Sequence, residues 1–496
     1  MQPLSLSLRK PLKMKSQLLL TIFLLIISLS LNAEITTDGS LGSRANLPGP
    51  DYQIKADLGR QMGGNLFHSF QDFNLQSFES ATFSGPNNVS NVISRVTGGN
   101  PSSIDGLIRS TMPSADMYFL NPYGIMFGPH ARLDVQGSFH ASTADYLRLQ
   151  DGGRFNARQP SESLLTVAPV EAFGFLRNTS ASITTQDSDL SVPENKTLSL
   201  IGGDIDLSGH SPVRFDEEGF MAVFARSKLK ASAGRINLAS VASIGEVIPS
   251  KQGLDLNASG GQITTNNTLV DVSGRGGGGV FIRGGQLLMQ DSVVQASTLD
   301  DLDGKSVDMQ LTESISISGN LLGLLNSTFG SGDASSLFIK TPNLKNTSWM
   351  GSVSLGSGKS ADIEIEAGQI WLENGDRIFN SVMESGQSGH LHFKVKEILS
   401  LSGQDSGNIV MGGIAYENYP SLISTGTFSN AKAGNLTIET DHLNLDGAII
   451  SVDSFGVGDA GEMNIHANTA KLTNGALISS SVFGQGNGGE TQYTNR

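Results

Sequence analysis

The chain has 496 residues, a formal charge of −14, 6% aromatic residues, 59 glycines and no cysteine. An acidic, aromatic-poor chain with no basic patch beyond its N-terminus excludes nucleic acid as a partner, because phosphates would repel it. Absence of cysteine excludes thiol chemistry and disulfide staples, and the glycine content with only 16% charged residues suits many short strands joined by tight turns.

Residues 1–33 read as a secretory signal peptide. Arg9, Lys10, Lys13 and Lys15 precede Leu18–Leu31, an apolar run broken only by Thr21, Ser28 and Ser30. That run is short for a membrane span and ends at Asn32-Ala33, which places the cut before Glu34. Met14 is an alternative start that gives a more typical signal, and a retained anchor is the alternative fate.

Residues 34–155 form the next unit, centred on 63–146. In Met117-Tyr118-Phe119-Leu120-Asn121-Pro122-Tyr123-Gly124-Ile125-Met126-Phe127, two apolar runs flank a tetrapeptide. Asn first, Pro second and Gly fourth are the preferences of a tight type I turn, so the local reading is strand, turn, strand. Just downstream Leu133, Val135 and Phe139 alternate with polar residues, the period of a strand with one buried face.

Four separated motifs carry a family likeness: Gly64-Asn65-Leu66-Phe67-His68-Ser69-Phe70, Ile93-Ser94-Arg95-Val96-Thr97-Gly98-Gly99, Ile104-Asp105-Gly106-Leu107-Ile108 and Gly137-Ser138-Phe139-His140-Ala141-Ser142-Thr143. In this order they resemble the N-terminal secretion (haemagglutination activity) domain of filamentous haemagglutinin-type proteins, the exported partners of bacterial two-partner secretion. The family's turn usually reads Asn-Pro-Asn-Gly, and Tyr123 replaces its second Asn. The resemblance implies export to the periplasm, then passage across the outer membrane of a Gram-negative-type bacterium through a dedicated β-barrel transporter whose periplasmic domains recognise the N-terminal unit. It makes Asn121, Pro122, Tyr123 and Gly124 the secretion-motif turn, and Asn65, Leu66, Phe67, His68 and Phe70 a packing motif. Exposed strand edges suggest β-augmentation as the mode of contact.

Residues 156–195 are irregular and polar around Leu164-Leu165-Thr166-Val167 and read as a transition segment. Residues 196–496 are repetitive. Copies open at Ala361, Gly389, Gly434, Gly461 and Gly489, at spacings of 28, 45, 27 and 28, the long one holding an insertion around Gln404–Tyr419. Ile363, Ile365, Ala367, Ile370, Leu372, Gly375 and Ile378 align with Met463, Ile465, Ala467, Ala470, Leu472, Gly475 and Ile478. Each unit has two alternating strands, a turn and a third short strand, so the expected fold is all-β, a right-handed parallel β-helix continuous with the N-terminal unit. One coil buries too few apolar side chains to offset the entropy of ordering its own backbone, so coils fold only as a stack and need a nucleus. At roughly 28 residues and ~4.8 Å per coil, the chain after residue 33 predicts a rod up to roughly 80 Å long. Gly489-Glu490 opens a unit that Thr491–Arg496 does not complete, which predicts a truncated end or one paired with another chain.

No catalytic, cofactor-binding or metal-ligating set emerges. His68 and His140 sit inside packing motifs and read as hydrogen-bonded structural histidines; His390 and His392 lack a third ligand nearby. Gly274–Gly279 has no Lys-Ser/Thr after it and reads as a turn between coils, and Leu299–Gly304 reads as an exposed acidic loop. The expected function is that of a secreted or surface adhesin-like protein that is not an enzyme, with host or neighbouring-cell surface glycans or proteins as ligands. The alternatives are a polysaccharide-active enzyme on the same scaffold, which turnover by purified protein would reveal, and the carrier stalk of a contact-dependent system.

Overall fold

The computed structural model describes residues 34–495 apart from 217–220, 406–407 and 412–413. The predicted signal peptide therefore lies outside the described residues. A single 33-stranded sheet runs through the chain, wound into coils so that nearly all its pairings are parallel. This is the parallel β-helix expected from the repeats.

Each coil places one strand in each of three parallel faces. The first face begins with Asn65–Phe73 and continues through Asn91–Val96, Asp116–Leu120 and Phe139–Ser142. The second passes through Ser102–Ile104, Ile125–Phe127 and Ile183–Gln186. The third runs from Asp51–Lys55 through Ser80–Ser84 and Leu107–Ser110. Alternate side chains of all three point inward, giving one apolar core from Ile35 to Ala467.

Register in the later coils follows the sequence repeat. Ile363 pairs with Leu391, Leu391 with Leu436 and Leu436 with Met463, so residues at equal places in the repeat stack on one another. Ile378, Ile423 and Ile450 make a second buried column that ends on Ile478. Part of the insertion forms a hairpin, Asn408–Met411 with Ile414–Glu417, outside the coil.

Two features depart from the sequence expectation. The outer end of the first face is not open: Ile35–Thr37 and Arg60–Met62 pair antiparallel along Asn65–Phe73. Capping strands of this kind remove an edge on which other chains could add. The stretch 156–195 is also woven into the structure. Ile183–Gln186 and Asp189–Val192 take places in the coils, and Val170–Phe175 joins a separate five-stranded antiparallel sheet. That sheet also contains Tyr146–Leu149, Arg154–Asn156, Gly245–Pro249 and Leu254–Asn257. It packs on the outer side of the first face and creates a second apolar core around Phe67, Ile93, Leu147, Phe155, Phe173 and Phe281.

Candidate functional site

The second core explains the motif Asn65-Leu66-Phe67-His68-Ser69-Phe70. A strand covered on both faces has no polar side, and every residue from Asn65 to Phe70 is buried. Leu66 and Phe70 enter the helix interior, whereas Phe67 points outward into the second core and meets Phe155 at 5.0 Å. Phe70 contacts Phe73 at 5.2 Å and Phe83 at 6.3 Å in edge-on pairs. Asn65 ties the strand to the covering segment: its Nδ2 donates to the carbonyls of Thr166 at 3.0 Å and Ala168 at 2.8 Å, while its Oδ1 accepts from Asn91 at 2.8 Å.

His68 lies against Phe70 and Phe83, and neither ring nitrogen has a hydrogen-bond partner among the described residues. The expectation of a hydrogen-bonded histidine fails here because the neighbours are aromatic rings. Gly59 leaves room for it: a Cβ there would lie 2.7 Å from His68 Nδ1 and 2.2 Å from the Phe67 carbonyl. Burial pushes the imidazole down to about 4 from 6.5, so it is neutral in the folded chain. The unfolded chain binds the proton first, hence His68 contributes fully above pH 6.5 and loses its contribution as pH falls towards 4. Over that window the stability advantage of wild type over His68→Phe should shrink by about 3 kcal/mol, measured by urea unfolding at stepped pH. A pH-independent difference would contradict this role.

His140 is also buried, stacked on Tyr118 at 4.5 Å with its Nδ1 2.8 Å from Ser199 Oγ. Its pKa falls to about 4, through burial first, with Asp116 opposing and Arg235 reinforcing. His68 and His140 are packing residues in separate places. His390 accepts from the Asn435 backbone N–H at 3.0 Å, and no metal-competent cluster occurs among the described residues.

The turn at Asn121–Gly124 is a coil corner. Its flanking strands, Asp116–Leu120 and Ile125–Phe127, belong to different faces and do not pair with each other. Gly124 N–H donates to Asn121 O at 3.1 Å and Tyr123 N–H to Asn121 Oδ1 at 2.9 Å, which closes the turn twice. Asn121 is fully buried, and its Nδ2 donates to Asn100 O and Ser102 Oγ, each at 3.0 Å, in the preceding coil. Gly124 has φ +125°, a region L side chains rarely adopt.

Two charged residues that sequence reasoning passed over hold this turn from outside. Arg158 Nη2 donates to the Pro122 carbonyl at 2.5 Å, and its guanidinium lies 4.3 Å from the centre of the Tyr123 ring. Arg158 Nε donates to Asp145, whose other oxygen accepts from the Leu176 N–H at 2.7 Å. Tyr123, the departure from the family wording, thus supplies a cation–π face for the clamp.

Arg95, within the second motif, is completely buried. It donates to Ser69 Oγ at 2.8 Å, Asn156 O at 2.6 Å, Ser163 Oγ at 2.6 Å and Ser40 Oγ at 3.0 Å, and lies 4.3 Å over Phe155. Burial lowers it to about 10, with Asp38 opposing, so it stays charged at neutral pH. Asp38 is reached through Ser69, which donates to it at 2.6 Å. Burial works to raise this carboxyl, but hydrogen bonds from Ser69, Ser40 and Thr97 outweigh it and hold Asp38 below the ordinary range.

The model of the TPS secretion domain family matches residues 33–303, more than half of the chain. The chain belongs to that family. Among solved structures, the crystal structure of the HMW1 secretion domain from Haemophilus influenzae is similar at 14% identity, over 93% of this chain and 97% of that one, with a TM-score of 0.45. Comparison with curated proteins gives no match. As a TPS exoprotein the chain is a substrate of two-partner secretion, carried through the periplasm and across the outer membrane by a transporter partner. The TPS secretion domain is a family of exported proteins and not of enzymes.

Proposed function

We propose that this TPS exoprotein is an adhesin-like surface protein whose N-terminal unit, residues 34–155 with the strands that cover it, is read by the periplasmic domains of a dedicated outer-membrane β-barrel. The family match over residues 33–303 carries this reading. In it, Asn121–Gly124 and the Asn65–Phe70 strand act in export, and the coils of residues 196–496 form the displayed rod. The capped first face directs β-augmentation elsewhere. Strand Asp51–Lys55 opens the third face, pairs with Ser80–Ser84 on one side, and presents Asp51, Gln53 and Lys55 outward. Its other edge carries no pairing among the described residues, which suits strand addition by a transporter domain.

The test compares secreted and periplasmic protein in cells with and without the barrel transporter, alongside attachment of the secreted protein to host or neighbouring cells. Secretion that requires the transporter, is abolished by Gln53→Pro and yields protein that binds cells is the expected result. Export without the transporter would contradict the reading of the N-terminal unit, and secreted protein that binds no cell would contradict the adhesive role.

A further inference from the structure

The outward side of the third face changes character along the rod. In its middle coils it is apolar, and the chain covers it with its own segments. Leu269 and Val293 lie under Val213 and Ala222, and Gln295 Oε1 accepts from the Ala222 N–H at 2.6 Å. Leu322, Leu325, Trp349 and Phe379 form the next cluster, with Phe215 and Tyr419 packed on it and Tyr419 edge-on to Trp349 at 5.5 Å.

Register carries these columns onward, but their chemistry alters beyond Phe379. The Gly351–Phe379 column continues as Ser424, Ser451 and Ser479. Beside it, Gly426 is followed by Asp453 and Ser481. Apolar rails flank this hydroxyl floor. One is Leu422, Ile449 and Leu477; the other is Phe428, Phe455 and Phe483, stacked at 4.7 and 4.9 Å. Together they enclose a groove of about 480 Å³, within the size range of ligand sites at roughly 300–1,000 Å³. Phe428 is 40% exposed and Phe455 46%, so the rail stands bare.

The floor decides what suits the groove. An apolar strap like those covering the middle coils would strip water from the serine hydroxyls and from Asp453 without replacing their hydrogen bonds. Asp453 makes no ion pair among the described residues, and its carboxyl is raised by burial, with Ser451 and the Ser481 backbone opposing. A ligand must therefore present hydroxyl groups to the floor and apolar C–H surface to both rails. Sugar rings have that combination. Arg377 also lines the groove, at the end nearest Phe379, where its guanidinium lies against the Trp349 and Tyr419 rings. Along the floor beyond it an acidic sugar would meet the Asp453 carboxylate in a chain of charge −14, so the ligand is uncharged.

We propose that this groove binds a neutral oligosaccharide lying along the rod axis, its C–H surface against the two rails and its hydroxyls on Ser424, Ser451, Ser479 and Asp453. The proposal rests on the adhesive reading above and names the surface and ligand class. The secreted full-length chain is applied to a printed array of neutral, sialylated and sulfated oligosaccharides. The strongest neutral binder is then titrated calorimetrically into wild type, Asp453→Asn, Phe455→Ala and, on another face, Lys340→Ala. Expected are retention of neutral oligosaccharides, a loss of roughly tenfold or more in affinity for Asp453→Asn and Phe455→Ala, and none for Lys340→Ala, with unchanged circular dichroism throughout. No neutral binder on the array, a preference for anionic sugars, or equal affinity in all variants overturns it. Cells still bound by the Asp453→Asn/Phe455→Ala double variant as by wild type would remove the groove assignment and leave the adhesive reading standing. Wild type that binds neither array nor cells would remove both.

Discussion

Replacing Arg95 with Met should destabilise the N-terminal unit by about 3–5 kcal/mol. Methionine keeps much of the apolar length, so the loss isolates the guanidinium. Without it the Asn156 carbonyl and the Ser69 hydroxyl lose a charged donor away from water, and the half-buried Ser163 and exposed Ser40 hydroxyls lose theirs at the rim. Those acceptors belong to the cap region, the first coil and the covering sheet, so one side chain couples three parts of the unit. Arg95→Lys should recover little, because a single ammonium cannot reproduce the fork that reaches four partners. Hydrogen exchange in Asn91–Val96 reports the local effect. Protection within ~1 kcal/mol of wild type would show that the network adds nothing beyond packing.

The second large effect is on export. Gly124→Val forces a β-branched residue into a φ of +125° and brings a Cβ to 3.3 Å from Pro101 Cβ, costing about 1–3 kcal/mol. Asn121→Ala keeps the backbone bond from Gly124 but removes the side-chain bond that closes the turn a second time and those that tie it to Asn100 and Ser102, costing about 2–3 kcal/mol. In a finished rod such losses are spread over a long core. In a unit that has to fold first, they delay the structure on which outward movement depends. Secreted protein should fall and periplasmic fragments rise for both variants, while the secreted fraction keeps wild-type ligand binding. Normal export with lost binding would reverse the assignment and make the turn a ligand site.

The repeats were the most legible part of the chain, because inward residues of successive coils stack and selection for each column leaves a period. The matches of Ile363 with Met463 and Ile378 with Ile478 are one-hundred-residue echoes of columns that pass through intermediate strands. The Asn-Pro-Tyr-Gly turn was legible for a local reason, since its geometry depends on residues within it. The second core was not. Asn65–Phe73 is buried on both sides over its first six residues, which erases the alternation that marks a half-buried strand. Its covering strands are short and scattered from Tyr146–Leu149 to Leu254–Asn257, with coil strands between them. Arg95 stands in the sequence only as one letter of a motif, and Arg158 carries no signal of its own. Only the covering sheet, which brings Asn156 and Ser163 to one and Asp145 and Pro122 to the other, reveals what they hold.

The doubly covered N-terminal unit is expected to fold first and to template the coils that follow. Pulsed hydrogen exchange during refolding of the full chain tests it most directly. Amides of Asn65–Phe73, Asn91–Val96 and Asp116–Leu120 should gain protection before those of Ile363–Glu373 and Met463–Thr473, and Arg95→Met should delay both groups together. Protection of the later strands first, or at a rate indifferent to Arg95, would contradict it.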